Sequence, residues 1–434
     1  MIKRLMSVVL LAGVLTILAA DTIPGGNVSG TWYQANSPYY IAGNIAVQAP
    51  DTLVIEPGVL VNFLGGYTFS VLGYLEAIGT DTDSITFTAS TVWYGLYITN
   101  APDTCRLEYC VFENFQFFIL SAIYCSNTNP VISYCRISNN ESFGEGGGIT
   151  LYGSDAEIFY CTISGNTGVE GGGILCHGGS TPTIFKCSIT GNNLSGGGVY
   201  GGGIAIDGGS NPVIDSCIIS NNNASCGGGI AVLNGSSCTI TDCWISADTA
   251  FGTVPWRNGG GIYINSSGGS VVISGTTIDD CLGFDFGGGL YIQNADSVSI
   301  TRSIFDGNYG FEGGILYSVD CGLYIEHCDM VNNRGLTTGI TLDGATDMTL
   351  SNCIFRSQGW ENIIFANYNS ASVTYCDFYD WGAPQPFYGN VPAGLGALVQ
   401  TNYNGDSCDV FYNIFMDPLF EDFPGGNYYL TDSS

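Results

Sequence analysis

A stretch from Ile132 to Ile149, ISYCRISNNESFGEGGGI, returns with small variations through most of the chain, and no other feature limits the fold so tightly. Aligned on Cys135, the copies fall at Cys110, Cys135, Cys161, Cys187, Cys217, Cys243, Thr276, Ser303, Cys328, Cys353 and Cys376, 23 to 33 residues apart. An apolar residue stands three before each, from Leu107 and Ile132 to Val373, and another two after, from Phe112 and Ile137 to Phe378. Five after comes an asparagine in six of the eleven copies: Asn140, Asn166, Asn192, Asn222, Asn308 and Asn333. A glycine step then opens a short apolar strand: GGGI at Gly146, Gly171, Gly201, Gly227 and Gly259, GGGL at Gly287, GGI at Gly313 and TGI at Thr338. A fixed period with strand-like apolar spacing marks a stacked repeat, each unit burying its face only against its neighbours.

A coil of roughly 25 residues suits three short strands joined by bends. The predicted architecture is all-β: a right-handed parallel β-helix of about 14 coils, stacked at the ~4.8 Å strand spacing into a rod on the order of 70 Å long. The asparagine column fits a tight corner, where the side chain can bond the coil above and the backbone can take left-handed angles. Glycine triplets let the chain turn a crowded corner without Cβ clashes. Residues 21–104 read as an N-terminal cap and irregular opening coils, 105–382 as regular repeats, and 383–434 as a closing segment expected to cover the open sheet edge.

Residues 1–20 stand apart as an expected signal peptide: Lys3 and Arg4, an apolar run from Leu5 to Leu18, then Ala19-Ala20 before Asp21. The run is short for a bilayer span, so the mature chain is expected to be exported, secreted or held at the cell surface, with no transmembrane segment. Acidic residues outnumber basic ones 38 to 9, giving a net charge of -29. That balance makes nucleic acid an unsuitable partner, because phosphate binding needs a basic face. Of the seventeen cysteines, nine recur once per coil with parallel side chains. Those are expected to be buried thiols, since a disulfide needs its two side chains turned toward each other. Among the other eight, some could pair.

The order TLVIEPGV, LGYLEAIGT, ITFTAS and a Trp-x-Gly step, followed by Cys-x-Ile-Ser-x-Asn and GGGI copies, resembles the exported right-handed parallel β-helix repeat proteins of the pectin-lyase-like class. The closing NIFMDPLFEDFPGGNYYL resembles that class as well, and the repeats are also similar to those of polymorphic outer membrane proteins. The resemblance implies the fold; one scaffold hosts many sites, so it does not by itself imply an activity.

Register points to a binding side. The two longest spacings place extra residues, Asn193 to Tyr200 and Ser246 to Asn258, between the asparagine position and the glycine step. Insertions at one register map to loops on one side, often the binding side. In the strand that follows, Thr150, Leu175, Ala205, Ala231, Tyr263, Tyr291 and Leu316 are expected to point outward. Tyr263 and Tyr291 would then stack, walled by Trp256, Arg257, Asp279, Asp280 and Asp285. Aromatics with carboxylates suit a sugar, which offers an apolar face and hydroxyl donors; exposed tyrosines also pave sheets that bind nothing. Glu145 and Glu170 share a column, and such a pair raises a pKa, binds a cation such as calcium, or points apart into water. No calcium-loop motif occurs and no other cofactor is expected.

Lyases of this class generally use Arg or Lys as base, often with calcium, and the related hydrolases use paired aspartates with a later His-Gly. Here Asp279-Asp280 follows His177-Gly178 instead, several coils away, and of the seven cations after residue 20 only Arg257 stands near the loop-bearing side. The expected role is therefore a non-catalytic rod that binds a glycan or cell-surface partner. The alternative is a polysaccharide lyase or glycoside hydrolase, with Arg257, Asp279 and Asp280 as its catalytic candidates.

Overall fold

The computed structural model describes residues 21–117, 120–195, 197–252, 257–356, 362–366, 370–379, 387–422 and 426–430. The expected signal segment and Trp256 lie outside the described residues. The chain winds through three long parallel sheets of 15, 15 and 14 strands, so the predicted parallel β-helix is the fold. The first sheet begins with Asp21–Ile23, the second with Gly26–Asn27 and the third with Gly30–Trp32, and each coil adds one strand to each. A fourth sheet of nine two- to five-residue strands lies between the first and second, from Gln116–Phe117 to Arg334–Gly335. The opening coils thus share the three long sheets and lack the fourth. Among the described residues, no helix is long and apolar enough to cross a membrane.

Alternation along the strands sends isoleucine, leucine, valine and phenylalanine into one continuous core from Val28 to Phe387. Ile132, Ile158, Ile184, Ile214, Ile240, Ile273 and Ile300 stand in unbroken register in the third sheet, all fully buried. Complete burial of such a side chain contributes about 1.5–3 kcal/mol relative to exposure.

The cysteine column lies inside the bend between the third and first sheets. The thiols of Cys135, Cys161, Cys187, Cys217 and Cys243 each donate to a main-chain carbonyl of the preceding coil, at 3.4–3.5 Å. The residue before each takes the left-handed conformation, as at Tyr134, Tyr160, Lys186, Ser216 and Asp242. All seventeen cysteines are free and buried, and burial pushes the thiols of Cys176 and Cys238 up to about 12. The native chain is therefore expected to resist a thiol-alkylating reagent at pH 8 and to take up seventeen equivalents once unfolded, counted by intact mass. Rapid labelling of the native chain would contradict this packing.

The asparagines do bond the neighbouring coils, but the left-handed corner belongs to the residue before them. Asn139, Gly165, Gly191, Asn221, Gly307 and Asn332 carry the positive φ, whereas Asn140, Asn166, Asn192, Asn222, Asn308 and Asn333 turn inward and are buried. Amide bonds run up the stack: Asn140 Nδ2 donates to Asn166 Oδ1 at 2.9 Å, Asn166 to Asn192 at 3.1 Å and Asn192 to Asn222 at 3.0 Å. The glycines next to this ladder are sterically enforced. A Cβ on Gly172 would lie 2.4 Å from Asn193 O and 2.5 Å from Gly202 O.

At the far end, later residues pack on the last strand of the first sheet. Ile414 pairs in parallel with Asp377 of the first sheet. Asn413, fully buried, accepts the Cys376 N–H at 2.9 Å and donates to Val373 O at 3.0 Å, where a further cysteine of the ladder would otherwise stand.

Candidate functional site

Thr150, Leu175, Ala205, Ala231, Tyr263 and Tyr291 do occupy one outward column of the second sheet, in consecutive register. The next place belongs to Tyr317, not Leu316. Leu316 pairs with Leu290 and faces the core, because Ile315 fills the place of the third glycine and the strand starts one residue later than the GGI step implies. Three tyrosines therefore follow one another. Their ring centroids are 5.3 Å and 5.7 Å apart with interplanar angles of 3° and 13°. Tyr200 approaches Tyr263 at 5.6 Å and Phe286 approaches Tyr317 at 4.7 Å, closing the two ends of the stack.

The column is a floor rather than an exposed platform. Tyr263, Tyr291 and Tyr317 are only 5, 7 and 9% exposed and form, with Cys226, Ala231 and Leu233, a second apolar cluster outside the solenoid core. Loops from the fourth sheet rise beside them and leave a groove of about 520 Å³, walled by Val199, Tyr200, Cys226, Asn258 and Phe286. Because the rings stack face to face along the rod, the groove sees ring edges and hydroxyls. Tyr291 donates to Gln293 Oε1 and Tyr317 to Asp343 Oδ2, both at 3.2 Å, while Tyr263 accepts from Asn265 Nδ2 at 3.4 Å. Burial pushes all three phenols up, Tyr291 to about 12.

Arg257 and Asp285 are occupied with each other. Arg257 Nη2 lies 2.8 Å from Asp285 Oδ1, and its Nε and backbone N–H donate to Oδ2 at 3.1 and 2.9 Å. The guanidinium also lies over the Phe284 ring at 5.3 Å. This clasp ties the inserted loop to the next coil. Asp279 and Asp280 do not join it. They precede the strand Leu282–Phe286, whereas the tyrosine floor follows it, and they line a separate depression with Asp306, Tyr309, Asn332 and Arg334. Burial, with the nearby Asp280 and Asp306 carboxylates, pushes Asp279 up to about 6.

Glu145 and Glu170 lie further along the groove-bearing side. Burial raises both carboxyls; Glu170 adds to the effect on Glu145, and His177 opposes it on each. His177 Nδ1 pairs with Asp207 Oδ2 at 3.2 Å. Among the described residues, no group of three or more His, Cys, Asp or Glu side chains is placed to hold a metal. His327 is exposed beside Glu326. Sequence reasoning missed Tyr317, Asn258, Gln293 and Phe286 as groove residues; aligning LYIQ at Leu290 with LYSV at Leu316 would have found the first.

Comparison with known proteins bears on the fold. No curated protein matches the chain. Among solved structures, the Dettilon tailspike protein is 13% identical, over 84% of this chain and 64% of its own, with a TM-score of 0.34. The siphovirus 9NA tailspike receptor binding domain is 10% identical, over 89% and 75%, with a TM-score of 0.32. This chain spans less than two thirds of the Dettilon protein's length, and likeness at this level says nothing of a ligand. The right-handed β-helix region, a family model, matches at residues 76–245, 172–344 and 228–413, most of the chain. With parallel sheets, a once-per-coil ladder and that match over its coils, the chain belongs to the right-handed β-helix family.

Proposed function

We propose that the protein is an exported rod that binds a glycan in the groove over Tyr263, Tyr291 and Tyr317 without cleaving it. The observation that carries this reading is the groove itself: a built concavity of aromatic edges and amide groups on the outer face of the solenoid. Aromatic and apolar walls with a few placed polar groups suit a sugar, whose C–H faces and hydroxyls need both. Export is supported by the basic, apolar and small-residue order of residues 1–20. The lyase or hydrolase alternative needs a base and an acid converging on one bond. Arg257 is clasped by Asp285, and Asp279 lines a different depression, so these candidates do not converge.

The test is incubation with a polysaccharide panel, with calcium and with chelator, following retained protein together with newly formed ends or unsaturated products. Retention without products is expected, with Tyr291→Ala reducing it at least tenfold because the middle of the floor is lost. Products that vanish in Arg257→Ala or Asp279→Ala would overturn the non-catalytic reading.

A further inference from the structure

We infer that this groove selects a neutral glycan and rejects uronate, sulfated and phosphorylated ones, and that Asn258 Oδ1 is the acceptor for a ligand hydroxyl; the inference rests on the glycan-binding reading and gives it a chemical class. Two independent observations support it.

The first is charge. Among the described residues, those lining the groove include no Asp, Glu, Lys, Arg or His. The charged groups whose fields reach those residues are carboxylates: Asp343 acts on Tyr291 and Tyr317, Glu312 on Tyr317, Glu170 on Tyr200 and Asp285 on Cys226. The cation of the adjoining loop, Arg257, is neutralised by its two-pronged pair with Asp285. An anionic sugar entering this space would give up hydration, meet a negative field and find no free cation among the described residues. A neutral sugar meets none of these costs.

The second is a buried acceptor without a donor. Asn258 lines the groove and is only 4% exposed, yet its Oδ1 receives no hydrogen bond from the described residues. An amide oxygen buried without a donor destabilises the fold, because the water it gave up is not replaced. A residue so placed at the wall of a groove fits a ligand that brings the donor. A sugar hydroxyl supplies it, while the sugar's C–H groups lie against Val199, Phe286 and Val319 and the ring edges of the tyrosine floor. A carboxylate or sulfate group set against Asn258 has no proton to give it at neutral pH, whereas a hydroxyl has.

The experiment uses the full chain with dextran, galactomannan and xyloglucan as neutral probes and polygalacturonate, alginate and chondroitin sulfate as acidic ones, at 20 and 300 mM salt. Tyr291→Ala, Asn258→Ala, Asn258→Asp and Gln293→Ala are carried alongside, each checked by its melting curve. At least one neutral polymer is expected to bind, with little salt dependence, at least tenfold more weakly in Asn258→Ala and more weakly still in Asn258→Asp. Acidic polymers are expected not to bind at either salt concentration. Binding of an acidic polymer that Tyr291→Ala abolishes would overturn the selectivity and leave the glycan groove standing. Neutral binding unchanged in both Asn258 variants would overturn the role of Oδ1. Failure of every polymer to bind, or binding indifferent to Tyr291→Ala, would overturn the groove reading and this inference together.

Discussion

Asn192→Ala is expected to destabilise the protein by about 4 kcal/mol, whereas the same change at the adjacent Asn193 stays within about 0.5 kcal/mol. Asn192 is fully buried in the middle of the amide ladder. Its Oδ1 accepts the Asn166 N–H at 3.0 Å and Asn166 Nδ2 at 3.1 Å, and its own Nδ2 donates to Ile163 O and to Asn222 Oδ1, each at 3.0 Å. Alanine strands the two Asn166 donors and the Ile163 carbonyl in a place water does not reach. Asn193, by contrast, is exposed, with one side-chain bond to Gly191 O at 3.2 Å. In a solenoid each coil touches only its neighbours, so a broken rung also weakens the coupling of the stacks on either side. The melting transition of Asn192→Ala should therefore broaden or split as well as move down. Transitions of the two variants within a degree of each other would show that the ladder is not what holds the coils in register.

The ladder was legible in the sequence because identical residues recur once per coil, and stacking converts recurrence into contact. The angle at its corner was assigned to the wrong residue, although the signal was present. The position before the asparagines is itself rich in Gly and Asn, the residues that tolerate a positive φ at least cost. The GGI step misplaces Leu316 because Ile315 stands in the third glycine's place, and only the strand after it fixes the register. The depth of the tyrosine floor was not readable. Tyr263 and Tyr291 point outward as alternation requires, but their burial depends on loops packed over them, a tertiary contact that no periodicity encodes. The candidate pairing of Arg257 with Asp279 failed for a related reason: residues near each other in the repeat were separated by the fourth sheet, whose two- to five-residue strands leave little trace in a pattern of apolar residues.

One rung of the ladder carries a different group, and it predicts how stability responds to pH. Asp248 takes the place after Asn222, accepting its N–H at 2.7 Å and its Nδ2 at 3.0 Å through Oδ1, while Oδ2 is buried without a hydrogen-bond partner among the described residues. Burial holds the carboxyl far above the carboxylate range, and the two bonds from Asn222 oppose this only in part. In the unfolded chain the group ionises near pH 3.9. Between that pH and its folded value the native state therefore binds one proton more than the unfolded state. The contribution is fully present below about pH 4 and is lost at about 1.4 kcal/mol per pH unit as pH rises. Asp248→Asn removes the titration and restores the ladder, since Asn222 in the rung before donates its second amide hydrogen to Ile189 O at 3.0 Å and an amide at 248 has the equivalent donor. The variant is expected to match the wild type near pH 4 and to exceed it increasingly up to pH 7, read from denaturant midpoints across that range. Asp279, Asp329 and Asp377, each raised to about 6 by burial, tilt both curves in the same direction and cancel in the difference. Parallel curves for the two proteins would mean that Asp248 is already ionised in the fold, and that the rung is held by a buried charge rather than by a neutral acid.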